Sequence, residues 1–269
     1  NSSKLIVMKK IFFTCRWSFI FLFFSCISNE KLMVIGHRGA AGHEVENTIP
    51  SIDKAISFGV DAVEVDVFLC KSGELVVFHD KNLSRLTNSD AFIESLTLDS
   101  IKKIEVFNNH KIPTLEEVIK FINNRVHLNI ELKGLNTAKP TYKLVKSIFS
   151  NKKQLIDNIS ISSFNWNELE IIYDLDKDIQ TAVLVEKKTV EMAIIQAKKI
   201  NAKAINIDFK LLNKKVVKKI KSENLIINAW TVNEINQIKR IMNLGVDGII
   251  TDFPDRVINL KSLLADERK

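Results

Sequence analysis

The chain has 269 residues, 46% hydrophobic and 26% charged, with a formal net charge of +7 at pH 7. That balance can bury one sizeable core and excludes a disordered or collagen-like chain. Residues 1–26 hold Lys4, Lys9, Lys10 and Arg16 and no acid, which leaves 35 basic against 32 acidic residues, or +3, for the remainder. With no basic stripe interleaved with aromatics in that remainder, nucleic acid is not an expected partner.

Residues 1–26 read as an export leader. Met8-Lys9-Lys10 give a positive start, and Trp17–Ile27 form an apolar run of about eleven residues, short of the ~20 that a bilayer-spanning helix needs. Ser25 precedes Cys26, and Ser28-Asn29-Glu30 turns polar at once. This pattern resembles a bacterial lipoprotein cleavage site with Cys26 as the acylated residue, although Phe23 stands where leucine is usual. The expectation is an exported protein that meets a membrane only through its leader or a lipid anchor, or one that is secreted after simple cleavage. Only Cys70 then remains in the domain spanning residues 27–269, so no intramolecular disulfide is expected and Cys70 reads as a small buried residue beside a hairpin.

From residue 32 onward, short apolar runs alternate with segments of helical period. Leu32–Ile35 reads as a strand and Thr48–Phe58 as a helix; Ala62–Leu69 as a strand and Thr114–Asn123 as a helix; His127–Leu132 as a strand and Lys139–Phe149 as a helix. Asn158–Ser162, Gln180–Val185, Ala204–Ile207, Leu225–Ala229 and Gly248–Ile250 continue the strands. Asn165–Leu175, Thr189–Ile200, Asn213–Ser222, Asn233–Leu244 and Arg256–Leu264 continue the helices. Eight strands alternating with eight helices predict an α/β protein built as a (β/α)8 TIM barrel, with an open doubly wound sheet as the alternative. The alternation is interrupted once. Lys71-Ser72-Gly73-Glu74 reads as a turn and Leu75–Asp80 as the returning arm of a small hairpin insertion after the second strand. Lys81–Pro113 then shows little core periodicity. An insertion at the carboxyl end of a barrel strand is expected to cover the active face.

The polar residues fall at strand ends. Positions i and i+2 of a strand share a face, so Glu64 and Asp66 point together, as do Glu131 and Lys133. Three carboxylates converging at a barrel mouth repel one another unless a cation sits among them, and an all-oxygen set suits one hard divalent ion, Ca²⁺ or Mg²⁺. His37 and His79 end their segments beside these acids, and two imidazoles of near-neutral pKa suit the proton transfers of phosphodiester cleavage. Arg38 offers a planar fork for phosphate and Lys133 a compact charge. His43, His110 and His127 are expected to take no part in the chemistry.

The chain resembles the glycerophosphodiester phosphodiesterases. The resemblance is carried in order by His37-Arg38-Gly39, Glu46-Asn47-Thr48, Glu64-Val65-Asp66-Val67, Val77-Phe78-His79-Asp80, Ile112–Glu117, Ile130-Glu131-Leu132-Lys133, Ser163-Phe164, Ala229–Asn233 and Gly245–Pro254. It implies a metal held by Glu64, Asp66 and Glu131, with His37 and His79 as the acid/base pair. It also implies Arg38 and Lys133 on phosphate, Glu46 and Asn47 in support, and Trp230 against the glycerol. The implied reaction is metal-dependent hydrolysis of small glycerophosphodiesters, such as glycerophosphocholine or glycerophosphoethanolamine, to glycerol 3-phosphate and an alcohol. A phospholipase D-type enzyme acting on lysophospholipid or sphingomyelin and a non-catalytic phosphodiester-binding lipoprotein are the alternatives. Two positions depart from the family pattern: Val45 replaces a common proline, and Ser162 a common glutamine.

Overall fold

The computed structural model describes residues 32–149, 156–187 and 189–266. The leader and Cys26 lie outside the described residues. No helix among those described is long and apolar enough to cross a membrane.

Eight parallel strands close on themselves. They are β1 (Met33–Gly36), β2 (Ala62–Leu69), β6 (His127–Leu132), β7 (Ile159–Ser163), β8 (Gln180–Val185), β9 (Ala204–Asp208), β10 (Ile226–Trp230) and β11 (Gly248–Thr251). Each pairs with the next, and β1 pairs with both β11 and β2, which makes the barrel. The remaining strand of this sheet, β3 (Leu75–Val77), returns antiparallel on the far end of β2, with Val67 opposite Val77. The closed sheet is the expected (β/α)8 architecture, and the open alternative is set aside.

Local chemistry explains the elements. Val63, Val65 and Val67 of β2 are fully buried against the helical layer, so the alternate residues Glu64 and Asp66 must face the barrel interior. Helix α1 (Ile49–Phe58) begins where Thr48 Oγ1 accepts from Ser51 N, carries Pro50 in its first turn, and ends at Gly59 in the left-handed region, φ 85°. Helix α3 (Leu115–Ile122) opens with a reciprocal capping box between Thr114 and Glu117.

The stretch from Lys81 to Pro113 is more organised than its sequence suggests. It folds as short 3₁₀ turns, a six-residue helix α2 (Leu98–Lys103), and a small ladder of β4 (Glu105–Val106) with β5 (His110–Lys111). Its core is separate from that of the barrel: Leu83, Ile93, Ile101, Val106 and Ile112 pack with Phe68, Cys70, Val76 and Phe78 of the hairpin. No element here is long enough to show a period, so the apolar residues are matched by contact across the chain rather than along it. Val45 packs against this same cluster, which holds its loop by burial where a proline would hold it by restricting φ. Cys70 is buried beside Ser72 and Glu74, as expected for a residue flanking the hairpin turn.

Candidate active site

The parallel register sets Asp66 beside Glu131 across adjacent strands, with Glu64 two residues earlier on the same face of β2. Glu64, Asp66 and Glu131 are all buried, and each offers a carboxylate oxygen within 4.8 Å of the others. Glu64 Oε1 and Asp66 Oδ1 are buried with no hydrogen-bond partner. Burial, followed by the charges of Asp66 and Glu131, holds the Glu64 carboxyl well above its ordinary range. Burial and Asp66 push Glu131 up to about 7. Three buried acids with unpaired oxygens form a cradle that fits a hard divalent cation, because oxygen-only donors match Ca²⁺ or Mg²⁺ and the cation would relieve both desolvation and repulsion.

Two cationic side chains border the acids. Lys133 Nζ lies 3.0 Å from Glu131 Oε1 and 3.8 Å from Asp66 Oδ1. Burial lowers its pKa, but Glu131 and Asp66 more than reverse this, so the ammonium stays charged. Arg38 Nε lies 3.2 Å from Asp66 Oδ2, and its Nη1 donates to Glu46 Oε1 at 2.8 Å. Arg38 itself sits at φ 51°, a left-handed conformation uncommon for its type. The turn that contains it is held from several sides. The Arg38 amide donates to Glu64 Oε2, and its carbonyl accepts from Asn47 N and Ser51 Oγ. Gly36 is required just before it, since a Cβ there would lie 2.4 Å from the Gly39 carbonyl oxygen. Asn47 clamps Asp66 at both ends: its Nδ2 donates to Asp66 Oδ2 at 2.8 Å, and its Oδ1 accepts from Asp66 N at 3.2 Å.

The two imidazoles are oriented alike. His37 Nδ1 donates to Asp252 Oδ1 at 2.6 Å, and His79 Nδ1 donates to Asp80 Oδ1 at 2.6 Å. These bonds assign the Nδ1–H tautomer to each neutral ring and leave Nε2 as the atom able to accept a proton. His37 Nε2 lies 4.0 Å from Glu64 Oε2, and His79 Nε2 accepts from Lys133 Nζ at 3.1 Å. Burial is the main cause that lowers the His79 pKa, followed by Asp66, which opposes it, and by Arg38 and Lys133, which reinforce it.

These side chains share one cavity of about 90 Å³, lined by His37, Arg38, Glu64, His79, Glu131 and Lys133 on its polar side. Phe164, Leu184 and Trp230 form an apolar wall. Trp230 meets Phe164 edge-on with ring centroids 5.5 Å apart, and both rings line the cavity. Every residue anticipated for the site therefore lines this cavity or bonds directly to a residue that does. Ser162, at the departure from the family pattern, is buried opposite Glu131 in the strand register and accepts from Asn129 Nδ2.

Four contributors were not given roles from sequence: Asp252, Asp80, Asn233 and Arg85. Asp80 adjoins His79 and could have been anticipated as its partner. Asp252 is 215 residues from His37, and only closure of the barrel between β1 and β11 joins them. His43 bonds to Asp255 and does not line the cavity, and His127 bonds to Ser160 at the start of its strand, toward the opposite end of the barrel.

The glycerophosphoryl diester phosphodiesterase family profile matches residues 37–256, from the first catalytic candidate to the last helix. The chain belongs to this family. A glycerophosphodiester phosphodiesterase of Caldanaerobacter subterraneus is 34% identical over 243 residues, covering 86% of this chain and 98% of its own. A phosphodiesterase of Oleispira antarctica, solved with the product sn-glycerol-3-phosphate, superposes with a TM-score of 0.78 at 26% identity, covering 86% of this chain and 96% of that one. A family member from Thermotoga maritima gives a TM-score of 0.70 at 28% identity, covering 87% and 98% of the two chains.

Proposed function

We propose that this protein hydrolyses small glycerophosphodiesters, such as glycerophosphocholine or glycerophosphoethanolamine, to glycerol 3-phosphate and the free alcohol. The observation that carries this reading is the pair of carboxylate-held imidazoles on one cavity with Glu64, Glu131, Arg38 and Lys133, and with Asp66 buried directly behind the two cations. The glycerol 3-phosphate bound by the Oleispira relative supports the product class.

Arg38 and Lys133 would hold the phosphate oxygens, the first through its fork and the second as a point charge. Of His37 and His79, one takes the proton of the attacking oxygen at Nε2, and the other delivers a proton to the departing alkoxide of the head group. Asp252 and Asp80 keep the rings in the required tautomer and stabilise each imidazolium as it forms. The apolar wall of Phe164 and Trp230 would pack on the carbon skeleton of the glycerol. Glu64, Asp66 and Glu131 would hold one divalent cation, which when bound supplies positive charge against the phosphoryl oxygen. The leader supports export, with anchoring through an acylated Cys26 or release after cleavage.

The test is release of glycerol 3-phosphate from glycerophosphocholine, first in EDTA and then with Ca²⁺ or Mg²⁺ restored. Release that disappears with EDTA and returns with one ion supports the reaction and the carboxylate site together. No release with either ion overturns the reading.

A further inference from the structure

We propose that Arg85, a residue of the insertion that does not line the cavity, is a positioning residue that holds His79 and Arg38 in register with each other. Its guanidinium bridges two carboxylates. Nη1 and Nη2 donate to the two oxygens of Glu46 at 2.9 and 2.6 Å, and Nε donates to Asp80 Oδ2. Each of those carboxylates holds a group facing the cavity. Glu46 Oε1 accepts from Arg38 Nη1, and Asp80 Oδ1 accepts from His79 Nδ1. The result is one alternating chain of charges, Arg38, Glu46, Arg85, Asp80, His79, which begins and ends in the cavity and passes outside it.

The two imidazoles differ in what stands behind them. Behind His37, Asp252 is fixed by elements of the barrel itself: its Oδ2 accepts from Asn233 Nδ2, and its amide donates to Asn233 Oδ1. Behind His79, Asp80 belongs to the hairpin arm, and Arg85 supplies the corresponding brace. Arg85 can do so because its own backbone is anchored. It ends the 3₁₀ turn Leu83–Arg85, capped by Asn82, whose Leu83 is fully buried in the second core. Without Arg85, Glu46 would keep only Arg38 and Asp80 only His79 as partners, and nothing would tie the one pair to the other. Arg85 holds both pKa values down, opposing the burial that raises them. An ammonium in its place would offer its donors from a single atom and could not reproduce the three separate contacts, because only a guanidinium presents Nε and the Nη atoms as distinct donors on a rigid plane. The Arg85 side chain is 45% exposed, so its ion pairs add little to global stability, and its contribution falls on orientation.

This inference uses the roles proposed above for Arg38 and His79 in its kinetic readout alone. Its other readout needs no turnover: the proton NMR signal of the His79 Nδ1–H, expected downfield because of the short bond to Asp80. In Arg85→Ala this signal is expected to weaken or move while that of His37 stays in place. With glycerophosphocholine as substrate, kcat is expected to fall on the order of 10- to 100-fold with KM within about threefold. Free guanidinium at low millimolar concentration is expected to restore much of the lost kcat in Arg85→Ala, and Arg85→Lys to recover only a minor part. An unmoved His79 proton with kcat within about twofold of the parent overturns the proposal. So does a loss that guanidinium does not restore and that accompanies a lowered Tm, because the role would then be structural. A protein without turnover whose His79 proton still depends on Arg85 would overturn the proposed reaction while sustaining the positioning role.

Discussion

At the carboxyl ends of the barrel strands, Glu64, Asp66 and Glu131 crowd together with unpaired oxygens, and Arg38 and Lys133 oppose their charge. At the amino ends of the same strands, the interior is also polar but carries hydroxyls, amides and a neutral imidazole bonded to one another. His127 Nε2 pairs with Ser160 Oγ, Ser160 Oγ donates to Asn129 Oδ1, and Asn228 Nδ2 donates to Asn206 Oδ1. The floor pairs most of its buried polar atoms, Asn228 Oδ1 being an exception, which stabilises the fold, whereas the mouth crowds three buried acids together in a cradle that favours a cation. One interior thus combines a structural end and a reactive end, and the two are expected to respond in opposite ways to the same treatments.

The largest separation is expected from Glu64→Gln, which removes one of the three crowded acids. Turnover should fall on the order of 10²-fold or more, because one of the three carboxylates proposed to hold the cation is lost. The metal-free protein should nonetheless melt ~3–6 °C higher at pH 8, since like-charge repulsion is relieved. The rise in Tm given by added Ca²⁺ or Mg²⁺ should shrink at the same time. A lower Tm for the metal-free variant would break the contrast between mouth and floor. His79→Ala should cost on the order of 10²-fold in turnover with the fold intact, and turnover near that of the parent would remove His79 from the acid/base pair.

Stability against pH sharpens the same comparison. In the metal-free protein, burial and Asp66 raise Glu131 from the usual 4.5 to about 7, so between those values the folded state binds more protons than the unfolded state. Its stability contribution is therefore present at low pH and is lost as pH rises through that window. A saturating divalent cation should flatten this limb of a Tm profile. At the floor the sign reverses. Burial lowers His127 from 6.5 to about 4, so the unfolded state binds more protons across that range, and stability is lost as pH falls through it. The smallest effect is expected from His127→Gln, which should flatten the acid limb by a few °C at most and leave turnover within about twofold. A large loss of turnover in that variant would mean that the floor contributes to the chemistry.

Much of this was legible in the sequence. The valines alternating with Glu64 and Asp66 assign those acids to the barrel interior, because a strand has only two faces. The caps at Thr48, Thr114, Thr189 and Asn213 mark where helices begin, because hydroxyl and amide side chains satisfy free amides within a few residues. All of these are short-range rules, and the residues that obey them carry the signal themselves. The resemblance to a known family supplied the site assignments on top of that reading.

The stretch from Lys81 to Pro113 behaved differently. Its apolar residues form a core with Phe68 and Phe78 of the hairpin, and no period along the chain records which residue meets which. The same limit applies to the groups behind the imidazoles. The bond from His37 to Asp252 exists because the last strand closes against the first, and Arg85 reaches both Glu46 and Asp80 because a separate core fixes its turn. The amino-acid sequence by itself determined the alternation of strands and helices, the inward face of each acid and the class of chemistry those side chains can perform. Only the tertiary structure decided which carboxylate orients which histidine and how the insertion is tied to the cavity. Those pairings join residues distant in the chain, and the geometry that selects them arises once the barrel has closed.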